Sequence, residues 1–408
     1  MGMSTAGPGD VIACEEPQPG QVRLMVLSVP ESKLPGVGTT IFTVMSRLAE
    51  DCGAINLSQG FPDFQPPGEL LERVSHHLRA GRNQYPPMIG VASLREEIAG
   101  KLASLYGVHP DPDTEITVTS GGTEALFCAI HAIVRAGDEV IVFDPAYDSY
   151  DPAIRLAGGI PVHIPLAAPG FEPDWERIRA SLGQRTRLVV INTPHNPTGT
   201  VLTKQDLGRL ADLISPYETY VLSDEVYEHI VFDGRRHAGV LTNEALAARS
   251  FAVFSFGKTY HATGWKVGYC VAPAALTTEF RRVHQFNTFT TTTPLQHALA
   301  DYLARCPEHY LGLPDFYQEK RDLFLRLMER SRFRLTPSAG TYFQLADYSA
   351  VSDLPDTEMA RWLTKEHGVA VIPVSAFYED PPEMRYIRFC FAKESATLTE
   401  AAERLSGL

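Results

Sequence analysis

Cysteine is scarce in this chain and follows no pattern. Six residues, Cys14, Cys52, Cys128, Cys270, Cys306 and Cys390, are scattered over 408 positions without a CxxC pair. That excludes a disulfide-built scaffold and a zinc ribbon, and it fits a reducing compartment such as the cytosol. None of the 13 histidines sits in an HExxH motif. No metal site is therefore expected, and His76-His77 reads as a pair on a helix surface. Long apolar runs are missing too: nothing approaches the roughly 20 residues needed to span a bilayer. Basic residues are in deficit. A net charge of -13 argues against nucleic acid, whose phosphates require a basic face. The first 30 residues lack a basic start followed by an apolar core. They read as a loose arm over residues 1–32 rather than as a signal peptide.

What is present describes a globular protein. The composition is 44% hydrophobic and 21% charged, and a chain this long exceeds one ordinary core, so two domains are expected. The middle of the chain alternates short β-branched runs with amphipathic stretches. Strands are predicted at 116–119, 139–143, 160–164, 188–192, 220–223, 251–255 and 267–272, with helices at 123–134 and 205–214. Strands alternating with helices imply a mostly parallel sheet covered on both faces. From Pro294 the texture becomes more helical, with helices expected at 295–303 and 314–329 and strands at 340–345 and 387–391. The resulting division is an N-terminal segment over 33–60 that joins a small domain, a large α/β domain over 61–293, and a small α+β domain over 294–408.

Chemistry-bearing residues gather where predicted strands end. Lys258 leaves the apolar run Phe251–Phe256. A buried ammonium is costly unless something uses it, and a lysine with a lowered pKa is the residue that forms a Schiff base. The bland alternative is a lysine that snorkels out of a strand end. Ser120-Gly121-Gly122-Thr123-Glu124 joins a strand to a helix, where free N–H groups favour an anion; a plain tight turn fits equally well. It is neither GxGxxG nor a P-loop. Gly36-Val37-Gly38 has no preceding strand and is discounted as a dinucleotide site.

Asn192-Thr193-Pro194-His195-Asn196-Pro197-Thr198-Gly199 follows an apolar strand. Its asparagines either cap the turn or present amides to a ligand, and His195 reads as a turn residue. Asp224 ends another strand, as a helix N-cap or as a functional acid, and Tyr227 is expected on the same face of a following helical turn. An acid for a ring nitrogen beside a phenol for a ring oxygen is what pyridoxal phosphate requires. Arg388 lies within an apolar alternation, either in a buried ion pair or as a bidentate clamp for a carboxylate.

Taken together these segments resemble the class I aminotransferases, the fold-type-I pyridoxal-phosphate enzymes, over nearly the whole chain from about residue 33. Leu57–Phe64, Asn83-Gln84-Tyr85, Phe143–Tyr150, Asn192–Gly199, Ser223–Tyr227 and Ser255–Gly268 carry the resemblance. Within the class they are similar to the methionine, kynurenine and glutamine transaminases. The resemblance implies that Lys258 forms the internal aldimine of a ping-pong transamination and shuttles the proton. It implies that Asp224 holds the pyridinium nitrogen, and that Tyr227 and Asn196 bind the ring oxygen. Tyr147 would stack on the ring. Gly122, Thr123, Ser255 and Lys266 would bind the phosphate, with Tyr85 reaching it from the other subunit of a homodimer. Gly60, Asn192 and Arg388 would hold the substrate carboxylate.

The side-chain pocket is expected among Ile41, Phe42, Phe61, Tyr147, Phe289 and Tyr342, with Phe289 supplied across the dimer. No second arginine for a side-chain carboxylate is identifiable, which favours methionine or an aromatic amino acid over aspartate as donor. Kynurenine or glutamine transamination, with carbon–sulfur β-lyase activity on cysteine conjugates, is the alternative. A non-catalytic cofactor-binding regulator is more distant, since neither end of the chain has room for a basic DNA-binding domain.

Overall fold

The computed structural model describes residues 30–408; Cys14 and most of the arm expected over 1–32 lie outside the described residues. The chain enters through helix Ile41–Cys52, which Thr40 caps by accepting from the Thr43 amide. Strand β1 (Ile55–Asn56) follows, then helices Gly68–Arg79 and Ala92–Tyr106. Seven strands come next: β2 (Ile116–Thr119), β3 (Glu139–Asp144), β4 (Ile160–Pro165), β5 (Thr186–Asn192), β6 (Tyr220–Asp224), β7 (Ser250–Ser255) and β8 (Gly268–Val271). They form one sheet in the order β2-β8-β7-β6-β5-β3-β4. β8 runs antiparallel to both of its neighbours, and every other pair is parallel.

β5, β6 and β7 are buried almost throughout. Helices cover both faces, which explains why these strands read as continuous apolar runs rather than alternating ones. The α/β class and the mostly parallel seven-stranded sheet are as the sequence indicates.

The C-terminal part contributes β9 (Phe343–Asp347), β10 (Val369–Ala370), β11 (Ile372–Pro373) and β12 (Tyr386–Cys390). β12 lies between β11 and β9, antiparallel to both. β10 pairs in parallel with β1, Ile55 opposite Val369, so the segment before residue 60 is woven into the C-terminal region. Helix Thr293–Arg305 packs instead against Gly68–Arg79 and Ala92–Tyr106.

Three expectations change. The helix predicted from Pro314 starts at Pro307 and runs through Pro314 to Met328. Pro307 occupies a first-turn position that proline suits, and the buried stripe Tyr310, Leu313, Tyr317, Phe324 holds the helix across the inner proline. The strand expected from Gly340 begins at Phe343, because Gly340 bridges Val231 and the Thr341 amide donates to the Ile230 carbonyl. Of the pair expected on a helix surface, His76 is exposed but His77 is half-buried, its Nε2 2.9 Å from Asp301 on helix Thr293–Arg305. The five described cysteines are free, and no described helix is long and apolar enough to cross a membrane.

Candidate active site

Ligands of open α/β sheets sit beyond the carboxyl ends of the strands, and here a cavity of about 290 Å3 opens there. Lys258, Asp224, Tyr227, Asn192, Asn196, Tyr147, Ser255, Lys266, Gly122, Thr123, Gly60 and Arg388 all line it. Residues from positions 60 to 388 therefore meet in one space. Tyr85 and Phe289 do not line it. Tyr85 is 85% exposed and its ring meets Phe289 edge-on at 5.6 Å on the surface.

The Ser120–Thr123 loop forms an anion cup. Gly121 adopts φ +83°, where a side chain is strained, and Gly122 opens helix Gly122–Ile133 with no side chain capping it. The first-turn N–H groups are therefore available to an anion. β8 passes so close that a Cβ on Gly268 would lie 3.0 Å from the Gly121 carbonyl carbon and 2.6 Å from the Phe254 oxygen. Lys266 stands beside Gly121 and supplies positive charge. Glu124, in the same first turn, is turned away from the cup: its carboxylate takes hydrogen bonds from the Ser120 amide, Cys128 and His284.

Asp224 ends β6 and is buried. It accepts from the Tyr150 hydroxyl at 2.7 Å and from the Val226 amide at 3.3 Å. Burial raises its pKa to about 6, against the pull of Tyr150, Val226 and Lys258. No helix follows it; residues 226–229 form turns. That corrects the expected helical geometry and has a cause. Glu225 is held by Ser223, His237 and the Val240 amide, while Glu228 is held by Lys101, Tyr106 and Tyr269. These anchors draw two side chains inward and leave Asp224 and Tyr227 on the cavity.

Asn192 caps the turn, one of the two alternatives left open by the sequence, and both asparagines line the cavity. The Asn192 amide braces the turn, accepting from the Asn196 N–H and donating to the Asp224 carbonyl. Asn196 Oδ1 takes a hydrogen bond from Arg388 and its Nδ2 remains for a ligand. His195 is a turn residue, bonded to Thr198; burial pushes its pKa down to about 4.

Arg388 is fully buried on β12. Its terminal nitrogens donate to Asn196 Oδ1 and the Ser58 carbonyl, both at 2.7 Å, and its Nε has no partner. It forms no ion pair among the described residues, so the ion-pair alternative falls away. Phe343 stacks beneath it at 3.9 Å, with Phe42 and Phe377 beside it. Burial lowers its pKa to about 10, so it stays charged at neutral pH. A desolvated guanidinium that lines the cavity without a carboxylate partner suits a carboxylate ligand.

Lys258 leaves β7 on the short turn Phe256–Thr259 and is half-buried at the cavity. Burial lowers its amine to about 8; Lys266 and Arg388 push the same way and Asp224 opposes them. The amine lies 3.0 Å from the Tyr342 hydroxyl.

Tyr150, Tyr342, Phe343 and Ser58 were not assigned these parts from sequence. Of the expected pocket residues, Phe42, Phe61 and Tyr147 line the cavity, Phe343 joins them, and Ile41, Phe289 and Tyr342 do not line it.

These groups fit pyridoxal phosphate. The cup takes a phosphate, Asp224 a ring nitrogen, Tyr227 and Asn196 Nδ2 a ring oxygen, and Lys258 the aldehyde. Arg388, which lines the cavity without a carboxylate partner, is left for a second anion.

The family model for aminotransferase class I and II matches residues 53–405. This chain is a class I and II aminotransferase. Enzymes of this class generally depend on pyridoxal phosphate. The aminotransferase is 58% identical over 380 residues to methionine aminotransferase of Escherichia coli (strain K12), covering 93% of this chain and 98% of that one. It is 35% identical to kynurenine–oxoglutarate transaminase 1 of Rattus norvegicus, over 91% of this chain and 96% of the relative. The crystal structure of YbdL from Escherichia coli, for which a methionine aminotransferase function was identified, superposes with a TM-score of 0.92. It shares 57% identity and covers 94% of this chain and 100% of its own.

Proposed function

We propose that this aminotransferase uses pyridoxal phosphate to move the amino group of methionine or an aromatic amino acid to a 2-oxo acid. The observation that carries the reading is the pairing of two cationic side chains at one cavity: half-buried Lys258, with its amine lowered to about 8, and fully buried Arg388, without a carboxylate partner. Bound there, the cofactor supplies an electrophilic carbon for the amino group and a ring that withdraws electrons from the α-carbon.

The protein's own groups do the rest. Arg388 grips the α-carboxylate, with Asn192 beside it, and so turns the α-hydrogen toward Lys258. Near neutral pH a useful fraction of Lys258 is uncharged and can take that proton. Asp224 is the negative charge that holds a protonated ring nitrogen, an interaction worth most when the ring is withdrawing electrons. Gly121–Thr123 and Lys266 anchor the phosphate. The aromatic lining from Phe42, Phe61 and Phe343 and the lack of a second lining arginine favour an uncharged donor side chain.

The proposal extends to assembly. A homodimer would cover the exposed pair Tyr85 and Phe289 and bring them to the neighbouring cavity. The cofactor would belong to a large unit that runs past the expected boundary at 293 to take in helix Thr293–Arg305, and Arg388 to a smaller one built from 33–60 and the rest of the expected 294–408 segment. A cytoplasmic location suits the free thiols.

Borohydride reduction of the cofactor-saturated protein should label the Lys258 peptide. A donor screen with methionine, phenylalanine, glutamine, kynurenine and aspartate against one 2-oxo acid should rank methionine or phenylalanine first. Labelling elsewhere refutes the site, and aspartate first refutes the substrate class.

A further inference from the structure

We propose that Tyr342 is a positioning residue, whose hydroxyl aims the amine of Lys258 at the α-hydrogen of the substrate. Tyr342 is fully buried, yet its hydroxyl meets two polar atoms of the site: it donates to the Gly60 carbonyl at 2.7 Å and lies 3.0 Å from Lys258 Nζ. A phenol has one hydrogen. With that hydrogen given to Gly60, the oxygen can offer Lys258 only lone pairs, and burial keeps the phenol protonated by raising its pKa far above the ordinary value. Lys258 must therefore donate an N–H to Tyr342. Lys258 lines the cavity and Tyr342 does not, so this donated N–H points into the core wall. The nitrogen lone pair is thereby turned toward the cavity, where the substrate is held by Arg388.

The step served is a proton transfer. The α C–H bond of the bound amino acid breaks, a new N–H bond forms at Lys258, and the electron pair stays behind on the substrate side. A primary amine on four rotatable bonds has many orientations, and fixing one is what Tyr342 contributes. Its ring is itself fixed, packed edge-on against Tyr227 at 5.2 Å and beside Tyr317 at 5.6 Å. The Gly60 carbonyl it holds neighbours Ser58, whose own carbonyl receives Arg388, so one short loop registers the base and the carboxylate clamp together. The other charged or titratable groups facing Lys258 are Asp224, Lys266, Arg388, Cys390 and the Tyr227 ring, and the amine also makes a longer 3.4 Å bond to the Gly60 carbonyl. Tyr342 differs from all of these side chains in a direct hydrogen bond to the amine.

This inference rests on the reading of Lys258 as the reacting amine, and the test separates the two. Tyr342→Phe keeps the ring and its packing and removes the oxygen alone. In the cofactor-loaded enzyme kcat should fall about tenfold to a hundredfold, with KM within about twofold of wild type. The primary isotope effect from an α-deuterated donor should rise as proton transfer becomes slower. A second readout uses no turnover. In protein freed of cofactor, the pH dependence of Lys258 acylation should move down by about one pH unit, because an acceptor that favours the ammonium is gone.

Should the variant fold poorly, 3-fluorotyrosine at position 342, a weaker acceptor of nearly the same shape, should give the same trends at smaller size. Unchanged kcat, isotope effect and acylation profile overturn the proposal. So does a raised KM at constant kcat, which would place Tyr342 in carboxylate binding through Gly60. If borohydride and cofactor label a lysine other than Lys258, the underlying reading fails first; with Lys258 labelled, these outcomes judge Tyr342 alone.

Discussion

Two of the buried charge clusters among the described residues are built on opposite principles. Behind the sheet, Lys101 meets Glu228, His229 and Tyr269, and Glu228 also takes the Tyr106 hydroxyl. Every charge there has its partner. Against burial, His229 and Lys101 hold the Glu228 carboxyl well below the ordinary range. In the cavity, Lys258 and Arg388 are brought together without a carboxylate on either amine or guanidinium, and Asp224 receives only a phenol and an amide. Closed networks of the first kind hold a chain in place; an open set of the second kind leaves its electrostatic demand to be met by ligands.

Removing Lys258 should produce the largest effect. Lys258→Ala should lower turnover by about ten-thousandfold in steady-state assay without lowering the unfolding free energy at neutral pH, where a lysine with a depressed pKa costs stability. The mirror experiment is Lys101→Met. It strands a buried carboxylate and should lose about 3–5 kcal/mol of stability in denaturant titration. Lys101→Met combined with Glu228→Gln should recover much of that loss. A stable Lys101→Met single variant would break the comparison. Arg388→Met should come next, reducing kcat/KM about a hundredfold with a stability loss of only about 1–2 kcal/mol.

The two clusters should also respond to pH with opposite signs. Asp224 has its folded pKa raised from 3.8 to about 6, so the folded state holds the extra proton. Stability of the cofactor-free protein should fall as pH rises between these values, by on the order of 2–3 kcal/mol. Glu228, whose folded pKa is lowered, contributes stability that is present above its unfolded value and lost as pH falls. Asp224→Asn should flatten the first slope and leave the second, as read by denaturation midpoints from pH 4 to 7. Lys258, lowered from 10.5 to about 8, should add a rise in stability between those pH values that Lys258→Met removes. Smallest of all, Tyr150→Phe should lower kcat about fivefold to tenfold by loosening Asp224.

How much of this was legible in the sequence follows the range of each interaction. The strands were legible because both faces of the sheet are covered, so β5, β6 and β7 had to be apolar throughout. Lys258, Asp224 and Arg388 stood out as charges set in those runs. Tyr150 did not, because its partner lies 74 positions away and nothing near it marks the hydroxyl as spoken for. Tyr342 looked like one more pocket aromatic for the same reason: the atoms it serves, on Gly60 and Lys258, are far along the chain. The turn after Asp224 was misjudged because Glu225 and Glu228 look like helix residues until Lys101 and His237 are placed behind them.

The pairing of β12 has a further consequence. Arg388 sits opposite Ile372 on one side and Leu345 on the other, so two neighbours fix its phase at once. Because side chains alternate across a strand, sliding β12 by a single residue would aim Ile387 or Phe389 at the cavity and send the guanidinium to the opposite face. Insertions or deletions between residues 374 and 385 are thus tolerable only where they leave this alignment intact. Hydrocarbon in that place could no longer recognise an amino acid by its acid end.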